Sequence, residues 1–208
     1  YFANILMPMS ALILKTLAKI ADSGMKIDII APDHGPIWRK DLDKIMGLYE
    51  KWATQKPTKK AVIVYDTMWG STDKMARSIA DGLISGGIET KVLCMKANHR
   101  SDVAMEVLRS GALIVGSPTI NNNMFPSIAD VLYYLKGLKP QNLIGTVFGS
   151  YGWTGEAARH IKEILTDMKV EIIADELRIK YVPDDEALAG CFEFGKNIAD
   201  ELNKRVDG

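Results

Sequence analysis

Residues 61–72 read Ala61-Val62-Ile63-Val64-Tyr65-Asp66-Thr67-Met68-Trp69-Gly70-Ser71-Thr72. Five apolar residues in a row suit a strand covered on both faces, as in a parallel sheet. The hydroxyl-rich loop behind them runs into a helix whose inner face is Met75, Ala76, Ile79, Ala80 and Leu83. A strand, a tight polar loop and a helix in that order make the first unit of an α/β fold.

Working outward, the same unit recurs. Val92-Leu93-Cys94 ends a second strand, Ala112–Val115 forms a third, Leu143–Phe148 a fourth and residues 169–174 a fifth. Between them lie helical stripes: a short one at Val103–Leu108, then Ile128, Val131, Leu132 and Leu135, then Ala158, Ile161, Ile164 and Leu165. A last helix carries Leu188, Cys191, Phe192, Gly195, Ile198 and Leu202. Five alternations predict an α/β fold with a doubly wound parallel sheet over residues 59–208. Ligands of such sheets bind beyond the carboxyl ends of the strands, where the strand order reverses.

Upstream, the polar segment Thr54–Lys60 with Pro57 marks a boundary. Residues 1–58 read as helix, strand, loop, helix: Ser10 as an N-cap, Ile27–Ile30 as a strand, Pro32–Pro36 as a loop, and a helix facing inward through Leu42, Ile45, Met46, Tyr49 and Trp52. One strand closes no sheet, so this segment reads as the end of another domain. The apolar start is interrupted by Lys15 and Lys19, lacks a basic leader and a cleavage site, and reads as a buried helix rather than a signal or a membrane span.

The 208 residues hold 26 basic and 26 acidic side chains, split 8 to 6 before residue 59 and 18 to 20 after it. That balance disfavours nucleic acid or a membrane surface as partner. Cys94 and Cys191 form no C-x-x-C pair, which excludes a zinc ribbon and a thioredoxin-type site. Both fall in apolar patterns and read as buried thiols, in keeping with a reducing cytoplasm.

Three loops carry chemistry. Thr67-Met68-Trp69-Gly70-Ser71-Thr72 offers three hydroxyls and free N–H groups at a helix N-terminus, the setting of a phosphate site. It has no lysine and matches neither G-x-x-x-x-G-K-[ST] nor G-x-G-x-x-G, so a phosphate monoester suits it better than a nucleoside triphosphate. A plain Ser/Thr-capped helix is the competing reading of this loop taken alone. Gly116–Asn123 and Gly149–Gly155 follow the third and fourth strands, and the latter adds Tyr151 and Trp153. Small residues, backbone groups and aromatics there suit a flat heteroaromatic ring. Flavin mononucleotide (FMN) has both the phosphate and the ring. A phosphoacceptor receiver domain is disfavoured, because the third strand ends in Gly116-Ser117-Pro118 and not in aspartate.

Residues 59–204 resemble the flavodoxin family, most specifically in the first loop. The resemblance implies a five-stranded sheet of order 2-1-3-4-5 binding FMN. It assigns the phosphate to Thr67, Met68, Trp69, Gly70, Ser71 and Thr72. It assigns the ring to Pro118, Thr119, Ile120, Asn121 and Asn123 on one side. Ser150, Tyr151, Gly152, Trp153 and Gly155 take the other, with Trp153 and Trp69 as candidates for stacking. Ala31-Pro32-Asp33-His34-Gly35-Pro36-Ile37-Trp38, with TMWGST and SYGWTGEA, also resembles the flavodiiron proteins, in which a metallo-β-lactamase-like domain precedes the flavodoxin domain.

That second resemblance implies that residues 1–58 are the C-terminal fragment of the diiron domain and residues 59–208 the FMN-binding domain. It makes His34 one iron ligand, with the others upstream of this sequence. It implies reduction of dioxygen to water, or of nitric oxide to nitrous oxide, by the full-length protein, with FMN relaying electrons to the irons. The donor would be a rubredoxin, an NAD(P)H-dependent reductase or a reduced deazaflavin, and the assembly a head-to-tail homodimer or a tetramer. A stand-alone flavodoxin-type carrier and a flavodoxin-like NAD(P)H:quinone reductase are the alternatives. His99 and His160 read as surface residues.

Overall fold

The computed structural model describes all 208 residues. After a π-helical turn at Phe2–Leu6 and a 3-10 turn at Met7–Met9, the elements are α1 (Ser10–Asp22), α2 (Leu42–Thr54), β1 (Lys60–Tyr65), α3 (Ser71–Ser85), β2 (Glu89–Cys94), α4 (Arg100–Val107), β3 (Ala112–Gly116), α5 (Pro126–Leu138), β4 (Ile144–Tyr151), α6 (Glu156–Asp167), β5 (Glu171–Ile172), β6 (Leu177–Lys180) and α7 (Asp185–Asp207). All strands are parallel, in the order β2-β1-β3-β4-β5, and β6 also pairs with β4. The order implied by the flavodoxin resemblance is the order found.

Period-two alternation sends the central strands into two cores. Val62, Val64, Leu113, Val115 and Val147 pack beneath α4, α5 and α6, joined by Phe2, Ala3, Met7 and Ala53 of the N-terminal segment. Ala61, Ile63, Tyr65, Ala112, Ile114 and Phe148 face α3 and α7. Those two helices touch through glycines. A Cβ on Gly82 would lie 2.0 Å from the Phe192 carbonyl oxygen, and one on Gly195 would lie 2.1 Å from that of Ile79.

Five expectations are corrected. The fifth strand is two short segments, β5 and β6, both laid along the longer β4, with residues 174–176 leaving the sheet between them. Ile27–Ile30 is no strand; only a single antiparallel bridge joins Ile30 to Trp38. Ser10 opens α1 as its first residue, and its hydroxyl donates to the Met7 carbonyl at 2.7 Å. Cys191 is buried, but Cys94 is only half-buried.

The apolar start is not a buried helix. Phe2–Asp22 forms one helical stretch of 21 residues, 17% buried over its most apolar window, with mean hydropathy 1.3 there. Length and composition alone would let it cross a membrane. Phe2, Ala3 and Met7 reach the core, but Leu12 is 61% exposed and Ile5 48% exposed, so only part of the apolar stripe is covered.

Candidate flavin site

The chain reverses direction across the sheet between β1 and β3, and the loops after β1, β3 and β4 open at that edge. In the first, the Asp66 carboxylate accepts from the Thr67 N–H at 2.6 Å and from the Ser127 hydroxyl at the start of α5. Thr67 Oγ1 accepts from the Gly70 N–H at 3.0 Å, which curls the loop. Gly70 sits at φ +90°, a conformation glycine adopts without steric cost, and caps α3. The N–H groups of Met68, Trp69, Ser71 and Thr72 have no acceptor within the chain. They converge at the positive end of α3, where an anion is favoured.

The three hydroxyls of this loop are not equivalent. That of Ser71 has no partner within the chain, whereas Thr72 is fully buried and its hydroxyl pairs with Ser150 Oγ at 3.0 Å. Thr72 therefore ties the first loop to the third. Tyr65, at the end of β1, donates its phenol hydrogen to Asp73. Burial, then that bond, pushes the phenol pKa well above its usual value. Asp73 is held below the usual carboxylate range, first by its bond to Arg77 at 2.9 Å.

The second loop is a tight turn. Ile120 and Asn123 exchange backbone hydrogen bonds at 2.9 Å, and Asn121 and Asn122 sit between them at φ +48° and +57°. Asparagine tolerates that left-handed pair. Pro118 is buried, Thr119 and Ile120 are half-buried, and Asn121 and Asn123 are exposed. The Thr119 N–H donates to the Ser150 carbonyl at 3.0 Å, joining this loop to the third. Asn123 Oδ1 lies 3.0 Å from His160 Nδ1, and His160 Nε2 lies 3.0 Å from Arg159 Nη2. Neutral His160 with its hydrogen on Nδ1 satisfies both contacts. His160, read from the sequence as a surface residue, thus latches α6 to the second loop.

The third loop begins at Ser150 and Tyr151 on β4 and leaves through Gly152, Trp153 and Gly155 into α6. Trp153 is 92% exposed and Trp69 89% exposed. Two tryptophans left in solvent on the first and third loops, beside unpartnered N–H groups, fit a ligand with a flat ring and a phosphate. These residues fit FMN.

The sequence matches the flavodoxin family profile over residues 63–195. The chain belongs to the flavodoxin family. Its sheet order is that of a flavodoxin-like domain, and its similarity extends further. It is 46% identical over 200 residues to a nitric oxide reductase of Moorella thermoacetica, covering 96% of this chain and 50% of that protein. Among solved structures, the rubredoxin oxygen:oxidoreductase of the anaerobe Desulfovibrio gigas superposes on 100% of this chain and 52% of its own, with TM-score 0.97 and 39% identity. A flavodiiron protein of Giardia intestinalis does so with TM-score 0.93 and 31% identity, again over 100% of this chain and 51% of its own. The chain spans about half the length of the curated relatives it matches.

His34 lies apart from the three loops. Its ring stacks on Tyr1 at 4.8 Å, beside an apolar cavity of about 690 Å³ between α1 and α2 that Leu12, Trp38, Tyr49 and Trp52 help to line. No three His, Cys, Asp or Glu side chains converge anywhere in the chain. The residues present do not make up a diiron site, which takes several ligands.

Proposed function

We propose that this chain is the FMN-binding, electron-transferring half of a flavodiiron oxidoreductase. The observation that carries the reading is the extent of the similarity. The flavodoxin profile covers 63–195, whereas the D. gigas enzyme matches the whole chain, including the 58 residues with His34. In this reading residues 1–58 belong to the metallo-β-lactamase-like diiron domain and residues 59–208 to the flavodoxin-like domain. The exposed apolar face of α1 and the lone His34 are then surfaces that a longer protein completes.

Bound FMN would supply one- and two-electron chemistry. The Ser71 hydroxyl and the free N–H groups of Met68, Trp69, Ser71 and Thr72 hold its phosphate, in a loop shaped by Thr67 and Gly70. Thr119, Ile120, Asn121 and Asn123 border one side of its ring, with Pro118 buried behind them. Ser150–Trp153 and Gly155 border the other, and Trp153 or Trp69 covers a face. The full-length protein reduces dioxygen to water or nitric oxide to nitrous oxide, and the names of its relatives support both acceptors. The donor is a rubredoxin, a reduced deazaflavin or an NAD(P)H-dependent reductase, and the names of its relatives, a rubredoxin-oxygen oxidoreductase and a coenzyme F420H2 oxidase, support the first two. A head-to-tail homodimer or tetramer would bring one chain's flavin to its partner's irons. Two free thiols suit a cytoplasmic setting.

Two measurements test this. The 208-residue chain, titrated with FMN, should quench flavin fluorescence at one equivalent; no binding would remove the flavin reading. The longer native protein should contain iron and consume oxygen or nitric oxide when reduced. An iron-free flavoprotein that only exchanges electrons would leave a carrier instead.

A further inference from the structure

β6 runs into a residue whose backbone is strained for its type. Tyr181 sits at φ +63°, where a bulky side chain is seldom found and where glycine or asparagine would sit at lower cost. Such strain persists where the surroundings hold it, commonly at functional sites. Here the surroundings are the third loop. The Tyr181 N–H donates to the Tyr151 carbonyl at 2.8 Å. Its ring edge faces Gly152, where a Cβ would lie 3.5 Å from Tyr181 Cε1. Lys180 Nζ stands 5.2 Å from the centroid of the same ring. The ring is 62% exposed, and its hydroxyl has no hydrogen-bond partner within the chain, so neither core burial nor a polar bond accounts for a tyrosine.

We propose that Tyr181 is a positioning residue of the flavin site: its ring, turned onto Gly152 by the left-handed backbone, sets the path of Tyr151–Trp153 and so places Trp153 beside the flavin ring. The inference rests on the FMN reading above. Neighbouring support is of the same kind, since the Arg178 side chain fills the space a Cβ on Gly155 would need, with Cδ 3.2 Å away. β6 and the residue after it thus underlie both ends of the aromatic loop, Arg178 at Gly155 and Tyr181 at Gly152.

Tyr181→Phe and Tyr181→Gly, made in the 208-residue chain, test it through three readouts: FMN affinity, the visible absorbance of bound FMN, and the urea midpoint of the flavin-free protein. Tyr181→Phe keeps the ring and should match the parent in all three. Tyr181→Gly removes ring and strain together. Its urea midpoint should stay level or rise, its FMN affinity should fall about tenfold, the scale of one aromatic contact, and the flavin band should shift. FMN affinity within twofold of the parent, with an unshifted band, would overturn the proposal. A lowered urea midpoint would overturn it too, by making the ring ordinary packing. If the parent chain itself fails to bind FMN, the flavin reading falls instead.

Discussion

Ser71 and Thr72 are adjacent hydroxyls at the start of one helix, and their surroundings give them different work. Ser71 Oγ has no internal partner and stands among free N–H groups. Ser71→Ala should therefore weaken FMN binding about 10- to 150-fold, the loss of one hydrogen bond to a charged group, with the thermal midpoint of the flavin-free protein unchanged. Thr72→Ala should act the other way round. It leaves the Ser150 hydroxyl buried without its partner and should cost about 1–3 kcal/mol of stability, read by urea unfolding without FMN. Equal effects of the two substitutions on stability would contradict the distinction. Sequence could name both residues as hydroxyls at an anion site, but not that one is spent on tying two loops together. That depends on a contact across 78 positions of chain. Cys191 gives a pH test at the same scale. Burial raises its thiol from 9.0 to about 11. The folded state therefore keeps a proton that the unfolded state releases between these values. Stability is whole below pH 9 and falls as pH rises toward 11, by about 2–3 kcal/mol. Cys191→Ala should flatten that decline, and an unchanged slope would assign it elsewhere.

The helices and strands follow from patterns of different legibility. α3 and α7 could be read as amphipathic, yet their closeness rests on missing side chains. Gly195→Ala would drive a Cβ toward the Ile79 carbonyl and should cost about 1–3 kcal/mol by overpacking. The drop should appear in urea unfolding, while FMN affinity changes little, because this contact lies away from the loops. β1, β3 and β4 were legible because continuous apolar runs bounded by polar loops have few other uses in an α/β chain. The edge was not. Residues 169–174 look like one strand, but Ala174-Asp175-Glu176 carries the chain out of the sheet. Leu177-Arg178-Ile179-Lys180 then returns as a second short segment, half-buried and exposed by turns. Alternation over four residues is a weak signal, and β6 carries residues that shape the aromatic loop. The turn at Asn121-Asn122 was readable as a turn, whereas the His160 latch on Asn123 was not, since histidine on a helix shows nothing of its partner.

At the scale of the molecule, two regions with opposite demands share one chain. The α/β unit closes on itself: both faces of its sheet are covered. The N-terminal segment joins that unit through Phe2, Ala3, Met7 and Ala53, and through hydrogen bonds of Asn4 and Gln55, but leaves Ile5, Met9, Leu12, Met25, Ile29 and Ile37 exposed. An exposed face of that kind marks an interaction surface or an association hazard in a soluble chain. Its periodicity was visible in the sequence, but periodicity tells which residues share a face and not whether anything covers it. The consequence is measurable. The 208-residue chain should bind an apolar fluorescent dye under native conditions and self-associate as its concentration rises. Ile5→Lys with Leu12→Glu, placed on the most open part of that face, should reduce both. The same pair should leave FMN affinity unchanged, because neither residue belongs to the three loops proposed to hold the flavin. Dye binding that persists in the double variant would move the exposed apolar surface to the aromatic loops. Loss of FMN binding along with the dye would mean that the two regions are coupled through the core they share.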